Sequence, residues 1–204
     1  MITIVDYGLG NIRAFENIYR SLGIPVLAAT TADQLQCASK IILPGVGAFD
    51  WAMKSLKHSG MEPTLNKLVL DEKKPVLGVC VGMQMMAQSS EEGNSSGLNW
   101  FNAKVKRFNE KILDERTPLP HMGWNTVKAE GTCKLFQGIE DPKYYFLHSY
   151  YLEANTIDDV VGKSYYGFEF ASAVSRDNIY ATQFHPEKSH HWGIKLLKNF
   201  AEYC

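Results

Sequence analysis

The pentapeptide Gly78-Val79-Cys80-Val81-Gly82 constrains this chain more than any other stretch. Before it, residues 75–79 are apolar and rich in valine, which predicts the end of a buried parallel strand. After it, Met83, Met85, Met86 and Ala87 suit a helix. Cys80 therefore falls at a strand-to-helix turn, the thiol counterpart of the G-x-S-x-G elbow that lifts a nucleophile clear of a sheet. Glycine on either side lets a neighbouring backbone pass where a Cβ would not fit. A helix start beneath the thiol adds unpaired N–H groups and a positive dipole end, which favour thiolate and oxyanion alike. The alternative is a buried cysteine that only fills the junction.

Upstream, the same strand-then-helix order repeats. Residues 2–6 predict a first strand and Tyr7-Gly8-Leu9-Gly10-Asn11 a turn. Ile12, Phe15, Ile18, Tyr19 and Leu22 then fall at helical spacing up to Gly23. Residues 25–29 predict a second strand, Thr31 caps a short helix through Cys37, and residues 40–43 predict a third strand. Two helices follow, one with Phe49, Ala52, Met53 and Leu56, the other around residues 65–70. Such alternation predicts a parallel sheet covered on both faces. Past Ser96, stretches around Val105, Thr126, 144–150, 160–168 and 179–184 read as strands with short turns. They predict an antiparallel extension of the sheet, with a last helix carrying Ile194, Leu197, Phe200 and Ala201 packed back on it. No linker, repeat or low-complexity stretch interrupts the 204 residues, so one domain over 1–204 is expected.

A net charge of −1 gives no reason to expect nucleic acid or an anionic membrane as partner. Cys37, Cys80, Cys133 and Cys204 form no C-x-x-C pair and suit reduced thiols in a cytoplasmic protein. The N-terminus enters a strand pattern directly, so neither a signal peptide nor a membrane span is expected.

Three other stretches could carry chemistry. Residues 8–14 fit G-x-G-x-x-A after a strand, the dinucleotide fingerprint. Asp33, near the distance for a ribose-binding acid, reads as helical, and a tight structural turn is favoured over a nucleotide site. His185-Pro186-Glu187 follows the 179–184 strand, and a nucleophilic thiol needs a base whose ring is oriented by an acceptor. If that strand neighbours the Cys80 strand, both ends open on one carboxyl edge, where open α/β sheets keep their sites. A solvated surface His and Glu is the alternative. His190 and His191 add no zinc-like spacing, so no metal is expected, and both suit the first turn of the last helix. Pro44-Gly45-Val46-Gly47 also ends a strand, and a backbone so free of bulk can turn N–H groups toward a reacting carbonyl.

With residues 78–84 and His185-Pro186-Glu187 together, the chain resembles the class I (triad) glutamine amidotransferases. Asp6 to Asn11, Leu43 to Phe49, His121-Met122-Gly123-Trp124-Asn125 and residues 145–150 are similar to the glutaminase subunits of imidazole glycerol phosphate synthases. The resemblance spans nearly the whole chain. It implies a flavodoxin-like α/β fold, no cofactor, and Cys80 as nucleophile with His185 as acid/base and Glu187 as its orienter. It places oxyanion donors at Val81 and at Val46–Gly47, and glutamine-binding positions at Gln84, Glu92, His148, Ser149 and Tyr150. Asn11, Met122 and Trp124 match positions facing a (β/α)8-barrel cyclase that forms a heterodimer with the glutaminase and consumes its ammonia in histidine synthesis. Val81 stands where leucine is common, and residues 88–90 are more polar than usual. A paralogous subunit supplying ammonia for amidation of a surface-polysaccharide sugar, a stand-alone γ-glutamyl hydrolase and a regulatory module on the same fold remain open.

Overall fold

The structure, a computed structural model, describes residues 1–113 and 117–204. The first half alternates as predicted: β1 (Ile2–Val5), α1 (Ile12–Ser21), β2 (Val26–Ala29), α2 (Ala32–Gln36), β3 (Lys40–Gly45), α3 (Phe49–His58), α4 (Glu62–Asn66), β4 (Val76–Cys80) and α5 (Val81–Met85). A π-helical turn over Lys67–Asp71 prolongs α4. The second half is strand-rich: β5 (Ser89–Ser90), β6 (Ala103–Arg107), β7 (His121–Thr126), β8 (Lys128–Ala129), β9 (Lys143–His148), β10 (Tyr150–Ala154), β11 (Val160–Tyr166), β12 (Phe168–Arg176) and β13 (Ile179–Thr182), closed by α6 (His190–Tyr203).

Strands β2, β1, β3, β4 and β13 lie side by side and parallel, and β12, β10 and β6 continue the sheet antiparallel, with β5 at its end. β11 and β8 pair outside this path, while β7 and β9 make a separate antiparallel ribbon. Every residue of β1, β4 and β13 is buried, so both faces of the parallel part are covered. β6 alternates buried and exposed positions, as a strand with one solvated face should. Helix α1 buries Phe15 and Tyr19, and the Tyr19 hydroxyl donates to the Leu197 carbonyl of α6 at 3.1 Å. Lys40 Nζ donates to the Phe200 and Ala201 carbonyls near the end of α6, a helix terminus that favours a cation. Phe108 packs its ring against Tyr151, Phe168 and Phe170, joining β10 and β12. Phe108 and Phe170, the two buried rings of the group, each contribute about 1.5–3 kcal/mol by leaving water.

The structure departs from the sequence reading in four places. The helix after the elbow stops at Met85, because the 97–101 segment takes its carbonyls: Leu98 N–H bonds Met85 O, and Trp100 and Phe101 N–H bond Met86 O. β3 runs on through Pro44, whose missing N–H falls beyond the last residue β1 pairs with, Ile42. The single strand expected over 144–150 is two, with the chain crossing from the ribbon to the main sheet at Ser149. β12, the longest strand among the described residues, has no counterpart in the sequence reading.

Candidate active site

The register brings three strand ends together. Gly45 of β3 lies opposite Cys80 of β4, and Thr182 of β13 lies opposite Val79, so Val46, Cys80 and Gln183–His185 leave the sheet at one edge. Cys80 turns there with φ +55 and ψ −112, a conformation costing a non-glycine residue about 1–3 kcal/mol. The neighbouring glycines explain how the turn fits. A Cβ on Gly82 would stand 1.9 Å from the Leu43 carbonyl oxygen, and one on Gly45 would stand 2.5 Å from the Gly82 nitrogen. Side chains at these positions would drive β3 and the elbow apart.

His185 is buried and is held by backbone as well as side chain. Its N–H donates to the Tyr145 carbonyl at 2.8 Å, and its carbonyl accepts from the Ser189 hydroxyl at 2.6 Å. Nδ1 lies 2.9 Å from Oε1 of Glu187, which the 3-10 turn Pro186–Lys188 brings back under the ring. Burial alone would lower the His185 pKa. Its hydrogen bond to Cys80 and the charge there outweigh burial, with Glu187 adding to them, and push it up to about 10. The site thus favours an imidazolium at His185.

Cys80, His185, Val46, Gly47, Val81, Gln84, Glu92, His148, Ser149 and Tyr150 line one cleft of about 250 Å³. Drug-sized ligands occupy pockets of about 300–1,000 Å³, so this one suits a smaller molecule. Gln84 Nε2 donates to the Tyr150 carbonyl at 3.2 Å and to Gln183 Oε1 at 3.1 Å. Gln183 in turn directs Nε2 at Cys80 Sγ from 3.9 Å. Glu92 Oε2 accepts the Phe49 N–H at 2.8 Å, at the start of α3.

His148 stands in a chain of neutral groups. Its Nδ1 lies 2.7 Å from the Tyr150 carbonyl and must donate, so Nε2 accepts from His121 Nδ1 at 2.9 Å. His121 Nε2 is left to accept from Asn125 Nδ2 at 3.3 Å. Burial pushes His121 down to about 4, and burial together with His121 pushes His148 down to about 3.

The ribbon beside the cleft carries an apolar outer face. Met122 and Trp124 are 64% and 46% exposed, and Leu147, the cross-strand partner of Met122, also lines the cleft. Trp124 stacks on His190, with ring centroids 5.1 Å apart. Asn11 is exposed at the start of α1. The Gly8–Ala14 fingerprint serves the turn: a Cβ on Gly10 would stand 2.7 Å from that of Pro44, and Asp33 is helical. Sequence reasoning missed Gln183, Pro120, Leu147 and Lys188 as members of the site. Only Gln183 left a signal, a polar residue at the end of an apolar strand. Among the described residues no helix is long and apolar enough to cross a membrane.

The chain is 54% identical to the imidazole glycerol phosphate synthase subunit HisH of Bdellovibrio bacteriovorus, over 99% of this chain and 100% of that one. It is 50% identical to the HisH subunit of Leptospira interrogans, over 98% and 99%. A solved glutamine amidotransferase superposes with a TM-score of 0.76 at 18% identity, covering 98% of this chain and 97% of the other. PurLQS from Thermotoga maritima superposes at 0.75 and 16%, covering 99% and 97%; both show the shared fold. The profile of the family described as "Glutamine amidotransferase class-I" matches residues 3–203, and the chain belongs to that family.

Proposed function

We propose that this chain is the glutaminase subunit of an imidazole glycerol phosphate synthase, a single cytoplasmic domain that hydrolyses glutamine and passes ammonia to a cyclase partner. The observation that carries the catalytic part is Cys80, strained at φ +55, sharing one cleft with an imidazole that itself rests on Glu187 at 2.9 Å. Relatives at 54% and 50% identity, each named as a subunit of that synthase, support the pathway and the need for a second chain.

In this reading the Cys80 thiolate adds to the side-chain amide carbon of glutamine. The oxyanion is met by the Val81 N–H at the elbow and by an N–H of the Val46–Gly47 segment. His185, as imidazolium, gives its proton to the amide nitrogen as the C–N bond breaks and ammonia leaves. A glutamyl thioester remains. Neutral His185 then takes a proton from water, the hydroxide adds to the thioester, and glutamate departs as the thiolate reforms. Glu187 holds the ring and stabilises its charged form. Gln84, His148, Ser149 and Tyr150 shape the substrate pocket, and Glu92, the one carboxylate among the described residues lining it, receives the α-ammonium.

The ribbon face of Met122 and Trp124, with Asn11, docks the (β/α)8-barrel cyclase, and no cofactor or metal takes part. Trp124→Ala is expected to weaken the complex by about 2 kcal/mol while the lone chain stays folded. Unfolding of that variant would make Trp124 a core residue. The deciding experiment compares glutamine hydrolysis by the lone chain and by the complex with the cyclase and its ligand. Turning one peptide in Gly45-Val46-Gly47 supplies one oxyanion donor, worth about 10²–10³ in rate, so the complex should exceed the lone chain by that factor. Equal rates would remove the partner-dependent switch, and no hydrolysis by either would remove the function.

A further inference from the structure

Glu92 sits on the polar loop Glu91-Glu92-Gly93-Asn94-Ser95-Ser96-Gly97, which has no apolar periodicity of its own to hold a shape. What fixes its middle is the first turn of α3. Asp50 accepts two successive backbone N–H groups of that loop, from Ser95 at 2.9 Å on Oδ1 and from Asn94 at 3.1 Å on Oδ2. In return Glu92 Oε2 accepts the Phe49 N–H, one of the first-turn donors of α3 that have no partner within the helix. The two elements thus exchange carboxylates. Gly93 makes the fit possible: a Cβ there would stand 2.0 Å from Asp50 Oδ1 and 2.3 Å from its Cγ. The two backbone N–H groups hold the Asp50 carboxyl below the usual carboxylate range, so it stays an acceptor at neutral pH.

We infer that Asp50, outside the cleft, is the positioning residue that aims Glu92 at the α-ammonium of the substrate and so sets the preference for an α-amino-acid amide over a plain carboxamide. The inference rests on the glutaminase reading above. One oxygen of Glu92 is committed to the start of α3, and the other is left for the cleft. An ammonium bound there is read by a carboxylate whose place is fixed from outside the pocket.

The test uses the complex with the cyclase and two substrates, glutamine and 4-carbamoylbutanoate, which is glutamine without its α-ammonium. In Asp50→Asn one acceptor oxygen is replaced by an NH2 that faces a backbone N–H; in Asp50→Ala both acceptors are gone. Each should raise the KM for glutamine, by about tenfold for the alanine variant and less for the asparagine one, with kcat within about threefold. Values for 4-carbamoylbutanoate should hardly move, so the discrimination between the two substrates collapses by the same factor. Gly93→Ala, which pushes the loop off Asp50 from the other side, should give the same signature. Equal losses on both substrates would mean that Asp50 merely supports the fold, and no loss on glutamine would mean that the clasp does not reach the substrate; either overturns the inference while the glutaminase reading stands. Failure of the wild-type complex to hydrolyse glutamine would overturn both.

Discussion

His185 and His148 line the same cleft, both are buried, and the protein drives them in opposite directions. Burial disfavours the charged form of each. At His185 the influence of Cys80 on one side and Glu187 on the other outweighs that cost and raises the pKa to about 10. At His148 the neighbours are a carbonyl, whose hydrogen bond offsets burial only in part, and a second buried imidazole that adds to it, so the pKa falls to about 3. A buried imidazole is thus not a function in itself. Its partners decide whether it carries a proton at neutral pH or serves as a fixed polar strut.

The contrast breaks most severely at His185. In the proposed mechanism His185→Ala removes the proton donor to leaving ammonia, and glutamine hydrolysis by the complex should fall by about 10⁴-fold. Glu187→Gln keeps the ring in place but loses its charged acceptor, so the fall should be smaller, about 10²-fold. Steady-state rates of the two variants check this order, and equal losses would give Glu187 a more direct part. Next in size is a change in titration. Cys80→Ala removes the largest favourable influence on the imidazolium and leaves Glu187 alone against burial, so His185 should titrate well below about 10 by NMR. A value that stays near 10 would show that the thiol is not what raises it.

The smallest expected effect sharpens the other side of the contrast. His121 and His148 have folded-state values of about 4 and about 3, below the ordinary 6.5. The unfolded chain therefore binds more protons between those values and 6.5, and stability should drop as pH falls through that window. His185 has the opposite sign. Its raised value contributes stability fully below pH 6.5, and this is lost as pH rises through about 10. His121→Phe should cost about 1 kcal/mol at pH 7 for its hydrogen bond, yet lose less stability than the wild type on going to pH 5. Urea midpoints at the two pH values measure both. A steeper acid loss in the variant would contradict the neutral pair.

These two histidines also show what the sequence could and could not disclose. The parallel half was legible because β1, β3 and β4 are short apolar runs, the first two followed by amphipathic helices, and Gly78-Val79-Cys80-Val81-Gly82 announces its own backbone geometry. His185 and Glu187 were legible because they are two residues apart after such a strand. The His121–His148 pair was not, since it depends on the β7–β9 register that sets the two residues opposite each other. Gln183 and Asp50 escaped for the same reason: one matters because β13 lies beside β4, the other because α3 lies beside the Glu92 loop. β12 was missed because its alternation in Phe168–Arg176 is diluted by Ala171, Ser172 and Ala173.

The claim on which the rest depends is that Cys80 forms a covalent bond with glutamine and that no other thiol can replace it. The most direct measurement is product formation by the Cys80→Ala complex, once with glutamine and once with free ammonium as nitrogen source. Glutamine-dependent synthesis should fall by about 10⁴-fold or more while ammonium-dependent synthesis, which uses only the partner's site, is unchanged. Glutamine turnover that persists in the variant would contradict the covalent mechanism at its first step.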